Sequence, residues 1–356
     1  MVWARAFART LPLLLVAAGI VYDWFTPSEY TATPLFAAAP LVAAPLHSLR
    51  GTVLTGLLAV GAVLVVHGVL GIVLQVDAVT EVVTVTTAAV LAVLINTVVR
   101  RGDERLATVR EIAEFAQRAV LPEPEPRIAG LDVAARYEAA QEDAFIGGDL
   151  YAVQDSPYGV RLVVGDVRGK GMKAVATVAT VVGAFREAAE QEPALEGVAE
   201  RLERALTRAG TRRDGIDAVE GFTTAVLAEI PPGADLVRVV NRGHPPPLLL
   251  HPDGTLAVLS AASFALPLGM SDLGGRPAPT VRERFPRGAT LLLHTDGLSE
   301  ARDARGEFFD PAGWLAGRVF SCPDALLTAL FEAVRRHTGG VLTDDMALLA
   351  VRRHEQ

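Results

Sequence analysis

Val163-Val164-Gly165-Asp166-Val167-Arg168-Gly169-Lys170-Gly171 is an apolar run that ends on one carboxylate and then breaks into glycines. Residues 160–164 are β-branched and apolar enough to form a buried strand. The glycines at 165, 169 and 171 permit a tight turn before a helical pattern starts at Met172. An acidic side chain is thereby placed at a strand end. A carboxylate beside a core is costly unless it is paired or bound to a cation, so Asp166 needs companions.

Three further aspartate positions share that setting. Asp149 lies in Ile146-Gly147-Gly148-Asp149-Leu150-Tyr151, and Asp296 closes the run Thr290-Leu291-Leu292-Leu293-His294-Thr295. Asp344-Asp345 open the strand-like Met346-Ala347-Leu348-Leu349-Ala350-Val351. Singly, each reads as a turn residue or helix cap. Together they form an oxygen-only ligand set suited to hard divalent ions such as Mg²⁺ or Mn²⁺, whereas zinc would call for histidine and cysteine.

At these residues the chain resembles the PPM (PP2C-type) serine/threonine phosphatases, in the bacterial branch typified by stage II sporulation E and RsbU-like sigma-regulatory phosphatases. The matching motifs are GGDLY at 147–151, VVGDVRGKGMKA at 163–174, NRGHPPPLLL at 241–250, HTDGLSEA at 294–301 and TDDMALLAV at 343–351, in the family's order across roughly residues 118–353. The resemblance implies an α+β fold, the αββα sandwich of two antiparallel sheets with helices on both outer faces. It also implies two divalent cations, Mn²⁺ or Mg²⁺, with Asp166 bridging both and the carbonyl of Val167 helping one of them. Asp149 would serve that same ion directly or through water. Asp296 and Asp344 would hold the other, with Asp345 as neighbour or substitute. Arg168 and Lys170 are candidates to meet substrate phosphate, against the alternative of a solvated loop. Asn241 to Pro247 reads as a rigid loop near the site, and His244 is not counted as a ligand.

The sequence departs from the wider family at two points. Val167-Arg168 stands where the eukaryotic enzymes carry Gly-His, and Ala152 stands where the bacterial branch has a second acid. A likeness of GGDLY to the diguanylate cyclase turn fails at Leu150 and Tyr151. Neither GxSxG, a Walker-type loop nor HExxH occurs.

The amino-terminal third is different in kind. Gly51 to Gln75 and Val82 to Val99 are uncharged runs of 25 and 18 residues, each about long enough to cross a bilayer. Leu11 to Phe25 and Thr31 to Leu46 are shorter, and Pro34, Pro40 and Pro45 interrupt the second. Residues 1–99 are thus expected to be a transmembrane region of four helices. Arg5, Arg9, Arg50, Arg100, Arg101 and Arg105 then fall on one side and Asp23, Glu29, Asp77 and Glu81 on the other. This arrangement predicts a multi-pass protein of the cell membrane with its catalytic part in the cytoplasm. His67 is expected to be a neutral histidine packed between helices, and Gly56, Gly61, Gly68 and Gly71 to be close-packing positions.

Residues 100–121 read as an amphipathic linker helix, with Leu106, Val109, Ile112, Ala113, Ala116 and Val120 on one stripe. It fits either a short parallel coiled coil joining two copies into a homodimer or a single helix packing on the next domain. Pro122, Pro124 and Pro126 end it and open the phosphatase domain at 122–356. There, strand hairpins alternate with paired helices, an α+β pattern and not a βαβ one.

The formal charge of −8 lies wholly beyond residue 100, which argues against nucleic-acid binding and suits a protein partner. One cysteine, Cys322, excludes an intrachain disulfide and a cysteine-based zinc cluster. The expected function is a membrane-anchored, metal-dependent serine/threonine phosphatase. By resemblance its substrate is a phosphorylated anti-sigma-factor antagonist of the STAS type. The alternative is a non-catalytic membrane adapter that keeps the fold for partner binding.

Overall fold

The computed structural model describes residues 2–26, 30–70, 75–139, 147–210, 222–274 and 277–354, with the backbone alone for 2–6, 8, 70 and 103–119. Its contacts divide the chain into two compact units, residues 1–109 and 110–356.

The first unit is helical: α1 (Val2–Phe25), α2 (Thr33–Leu46), α3 (Leu49–Leu70) and α4, which begins at Val76 and runs unbroken to Val120. Two stretches, Leu49–Val69 and Val76–Gly102, are long and apolar enough to cross a membrane. α2 keeps Pro40 and Pro45 inside a helix of 14 residues, about 21 Å long and short of a bilayer core of about 30 Å. Val16, Phe36, Ala39, Ala59, Val63 and Val85 form a small core, while Leu57, Val65, Val83, Leu94 and Val98 are exposed.

Several polar side chains bond between the helices of this bundle. Asn96 donates to the carbonyls of Ala44 (2.6 Å) and His47 (2.9 Å) and to Thr52 Oγ1 (3.2 Å). His47 also meets the Arg9 carbonyl (2.9 Å), and Arg100 Nη2 donates to the His47 carbonyl (3.1 Å). His67 has a partner outside its own helix: Glu81 of α4 lies 3.0 Å from its Nε2. Of the expected close-packing glycines, only Gly56 meets a neighbour, Ala89. Gly61 and Gly68 face open space, and Gly71 lies outside the described residues. The coiled-coil seam of Leu106, Val109, Ile112, Ala113 and Ala116 also lies outside the described side chains.

The second unit is built from two sheets. The first runs in the order β1 (Arg127–Ile128), β2 (Leu131–Glu138), β11 (Met346–Arg353), β10 (Thr290–His294), β7 (Leu248–Leu250) and β8 (Leu256–Val258). The second runs β3 (Asp149–Ser156), β4 (Gly159–Val167), β5 (Thr223–Ile230), β6 (Leu236–Arg242) and β9 (Thr280–Arg284), and every pairing in both is antiparallel. α5 (Met172–Gln191) and α6 (Leu195–Gly210) pack on the second sheet, with Val181, Phe185, Val198 and Leu202 buried. α8 (Pro311–Leu315) and α9 (Pro323–His337) cover the first.

Period-two alternation decides which face each side chain serves. In β10, Leu291 and Leu293 enter the core between the sheets, whereas Leu292 joins Leu326, Leu327 and Leu330 beneath α9. Each such leucine contributes about 1.5–3 kcal/mol by leaving water. The result is the expected αββα sandwich.

A buried ion pair fastens the outer helices to the second sheet. Arg161 and Glu229 are both fully buried, on adjacent strands β4 and β5. Arg161 donates through Nε (2.9 Å) and Nη2 (2.6 Å) to Glu229 Oε2, and to the carbonyls of Ala189, Glu192 and Pro193 where α5 ends. Glu229 Oε1 accepts a further bond from Arg238 Nη1 at 2.7 Å.

Candidate metal centre

Strand ends gather the aspartates. Asp149, the first residue of β3, stands directly opposite Asp166 near the end of β4. β10 and β11 pair with His294 against Leu348, so Asp296, two residues past β10, and Asp344-Asp345, just before β11, emerge at the same edge. Asp296 opens the short helix α7 (Asp296–Ser299). Ligand oxygens of Asp149, Asp166 and Asp296 all lie within 4.8 Å of one another. Three of these positions, spread over nearly 150 residues, thus converge, as an oxygen-only ligand set requires. Gly165, expected in the turn, lies inside β4. The turn itself is made by Gly169 and Gly171, at φ 111° and 81°.

The glycines of GGDLY are needed for steric reasons. A Cβ on Gly148 would stand 2.0 Å from the Val167 carbonyl oxygen and 2.7 Å from Asp166 Oδ1, and one on Gly147 would stand 1.6 Å from Asp345 Oδ2. Only a bare backbone lets these oxygens approach. The Val167 carbonyl and the Asp166 carboxylate therefore share one small space, as a common ion would demand.

The electrostatics of the cluster call for positive charge. Burial, then the carboxylates of Asp296, Asp344 and Asp345, push Asp166 up to about 7. Burial, then Asp166, holds Asp149 well above the usual carboxylate range, and burial with Asp344 raises Asp296. Such groups bind protons when no cation neutralises them, and a cation must displace those protons. Because the folded-state value of Asp166 exceeds its unfolded value, its contribution to stability is full below about pH 4 and is lost as pH rises through about 7. We expect Mn²⁺ affinity to strengthen as pH rises toward 7, by up to about tenfold per pH unit for each proton the ion displaces, in calorimetric titrations across that range. A pH-independent affinity would contradict this electrostatic account.

The remaining predicted residues are placed as follows. Asp345 is buried, while Asp344 is half exposed and lies 3.5 Å from Lys170 Nζ. Arg168 is exposed, with its guanidinium 5.2 Å from the Phe222 ring centroid. Ala152 is buried in β3 opposite Val163.

One residue was missed by sequence reasoning. Thr295 Oγ1 donates to Asp149 Oδ2 at 2.6 Å and accepts from the Ala347 backbone N–H at 2.9 Å. It joins the two sheets and fixes one oxygen of Asp149, leaving the other for a ligand. A hydroxyl directly before Asp296 was the only signal in the sequence.

The profile of the family described as Stage II sporulation protein E (SpoIIE) matches residues 156–354. The chain belongs to the SpoIIE family. Many solved structures resemble it, three of them as follows. The RsbU and RsbW domains of a Mycobacterium tuberculosis protein are 26% identical, with TM-score 0.51 over 63% of this chain and 60% of that one. The PP2C phosphatase domain of SpoIIE from Bacillus subtilis, with a fragment of its regulatory domain, is 19% identical, with TM-score 0.52 over 62% and 63%. The SiaA-PP2C domain of Pseudomonas aeruginosa is 18% identical, with TM-score 0.57 over 70% and 98%. The match spans less than two thirds of the first two structures. The second unit of this SpoIIE-family chain is a PP2C-type domain in fold as well as in motif.

Proposed function

We propose that this SpoIIE-family chain is a membrane-anchored, metal-dependent phosphatase that removes phosphate from serine or threonine of a partner protein. The observation that carries the reading is the convergence of Asp149, Asp166 and Asp296 oxygens within 4.8 Å on a PP2C-type scaffold. Asp344 and Asp345 lie at the same edge. Asp166, Asp149 and the Val167 carbonyl would hold one divalent ion, with Asp166, Asp296 and Asp344 holding a second; the all-oxygen donor set suits Mn²⁺ or Mg²⁺.

When bound, such ions supply a hydroxide from water near neutral pH and neutralise charge on phosphoryl oxygens. The protein's part is placement. Asp149 is oriented by Thr295, Asp166 is set by its register against Asp149, and Asp296 is set by the start of α7. Arg168 and Lys170, on the turn after Asp166, would meet the phosphate of the substrate. Lys170 would exchange its contact with Asp344 for one with the phosphate.

The likeness to RsbU-like phosphatases supports a phosphorylated STAS-type anti-sigma antagonist as substrate. Two observations support the membrane reading: the two apolar spans, and the exposed apolar exterior of the first unit. Arg9 and Arg100 meet around His47 at one end of the helices, which favours that end, and with it the catalytic unit, on the cytoplasmic side. Dimerisation through residues 100–121 belongs to the same proposal.

The test uses the full chain in detergent micelles with a phosphoserine STAS protein and a generic phosphopeptide. Phosphate release is expected with Mn²⁺, is expected to stop with EDTA, and should return on re-addition of Mn²⁺. Binding of the STAS protein without any release would leave the adapter reading instead.

A further inference from the structure

The segment that crosses from β6 of one sheet to β7 of the other, residues 243–247, carries His244 into the interior. His244 is 6% exposed. Its Nε2 lies 3.0 Å from the carbonyl oxygen of His294, and its Nδ1 lies 2.9 Å from Thr224 Oγ1. A carbonyl only accepts, so Nε2 carries the proton and Nδ1 accepts from the Thr224 hydroxyl. Burial, with His294 adding to it, pushes the His244 imidazolium down to about 3, so the ring is neutral and this tautomer is the one in use.

Both partners stand beside metal-site residues. Thr224 is the cross-strand partner of Asp166 in the β4–β5 register, and His294 is the last residue of β10, two before Asp296. The ring therefore spans from the strand beside Asp166 to the strand that delivers Asp296. Its own backbone is clamped: Asn241 Oδ1 accepts from the His244 N–H, and Asn241 Nδ2 donates to the His244 carbonyl, each at 2.8 Å. Thr295 makes the matching link between the sheets from Asp149.

We infer that His244 is a positioning residue for the metal centre: its imidazole, bonded to Thr224 and to the His294 carbonyl, sets the spacing between Asp166 and Asp296. A core histidine kept only for packing would not need a donor and an acceptor on different sheets, each next to a carboxylate. Outer contacts of this kind commonly tune metal affinity 10- to 100-fold. The inference rests on the metal reading above and adds a residue that touches neither ion nor substrate.

The experiment measures Mn²⁺ dissociation constants, from the free-Mn²⁺ electron paramagnetic resonance signal, for the full chain in detergent. Metal-free melting temperatures are recorded alongside. His244→Leu is expected to weaken Mn²⁺ binding by about 10- to 100-fold, and Thr224→Val by about tenfold. His244→Gln, which keeps an N–H for the His294 carbonyl, is expected to retain more affinity than His244→Leu. Wild-type affinity in both His244→Leu and Thr224→Val would overturn the inference, even with lowered melting temperatures, because a purely structural role moves only the latter. If His244→Leu does not fold, Thr224→Val and His244→Gln decide: unchanged affinity in both overturns it, and weakened affinity in Thr224→Val supports it. A wild-type chain that binds no Mn²⁺ would instead overturn the metal reading itself.

Discussion

The Asp166→Asn chain is expected to release phosphate at least about 10³-fold more slowly than wild type at saturating Mn²⁺, a loss of about 4 kcal/mol in transition-state stabilisation. Asp166 is the residue on which the other carboxylates converge: it faces Asp149 across the β3–β4 pair and shares the space beside Gly148 with the Val167 carbonyl. The amide keeps shape and removes charge. Since Asp166 is held toward its neutral form by burial and by Asp296, the metal-free variant should melt no lower than wild type. The rise in melting temperature on adding Mn²⁺ should vanish. Single-turnover phosphate release and paired melts would measure both, and a rate within tenfold of wild type would remove Asp166 from the mechanism.

The largest expected effect on stability lies at the other end of the same strand. Arg161→Ala should destabilise the protein by about 3–5 kcal/mol, because it leaves the fully buried Glu229 without its main partner and strips three carbonyls at the end of α5 of their donor. Arg238 alone remains on Glu229. Replacing the pair together, Arg161→Met with Glu229→Leu, is expected to recover most of the loss, since the desolvation cost of both charges disappears with them. Denaturant titrations of the three proteins would check this. A single variant within about 1 kcal/mol of wild type would show that the pair does not hold α5 to the sheet.

Much of the second unit was readable because its signals are local. The apolar runs Thr290 to His294 and Met346 to Val351, the Pro231-Pro232-Gly233 turn and the proline after Glu192 each act within a few residues, and the strands and helices formed there. The aspartates were readable for a related reason, as each closes or opens an apolar run. What was not readable depends on partners distant in sequence. Thr295 acts on Asp149, 146 residues away, His244 on the carbonyl of His294, 50 residues on, and Arg161 on Glu229, 68 residues on. No periodicity marks such pairs. In the first unit, local rules misled in places. Prolines marked as interruptions are accommodated within α2. His67 was read from its own span alone, whereas its partner sits on the next helix.

β11 follows every other described strand in sequence yet lies between β2 and β10. During synthesis the first sheet therefore cannot close until β11 has left the ribosome, since β2 and β10 do not pair with each other. Asp344 and Asp345 arrive with that same strand, so the acidic edge is completed at the moment of closure. A nascent or prematurely terminated product would expose unpaired strand edges and invite aggregation or proteolysis before it could bind a cation. Closure of the first sheet and assembly of the acidic edge are in this way tied to one event, the insertion of β11.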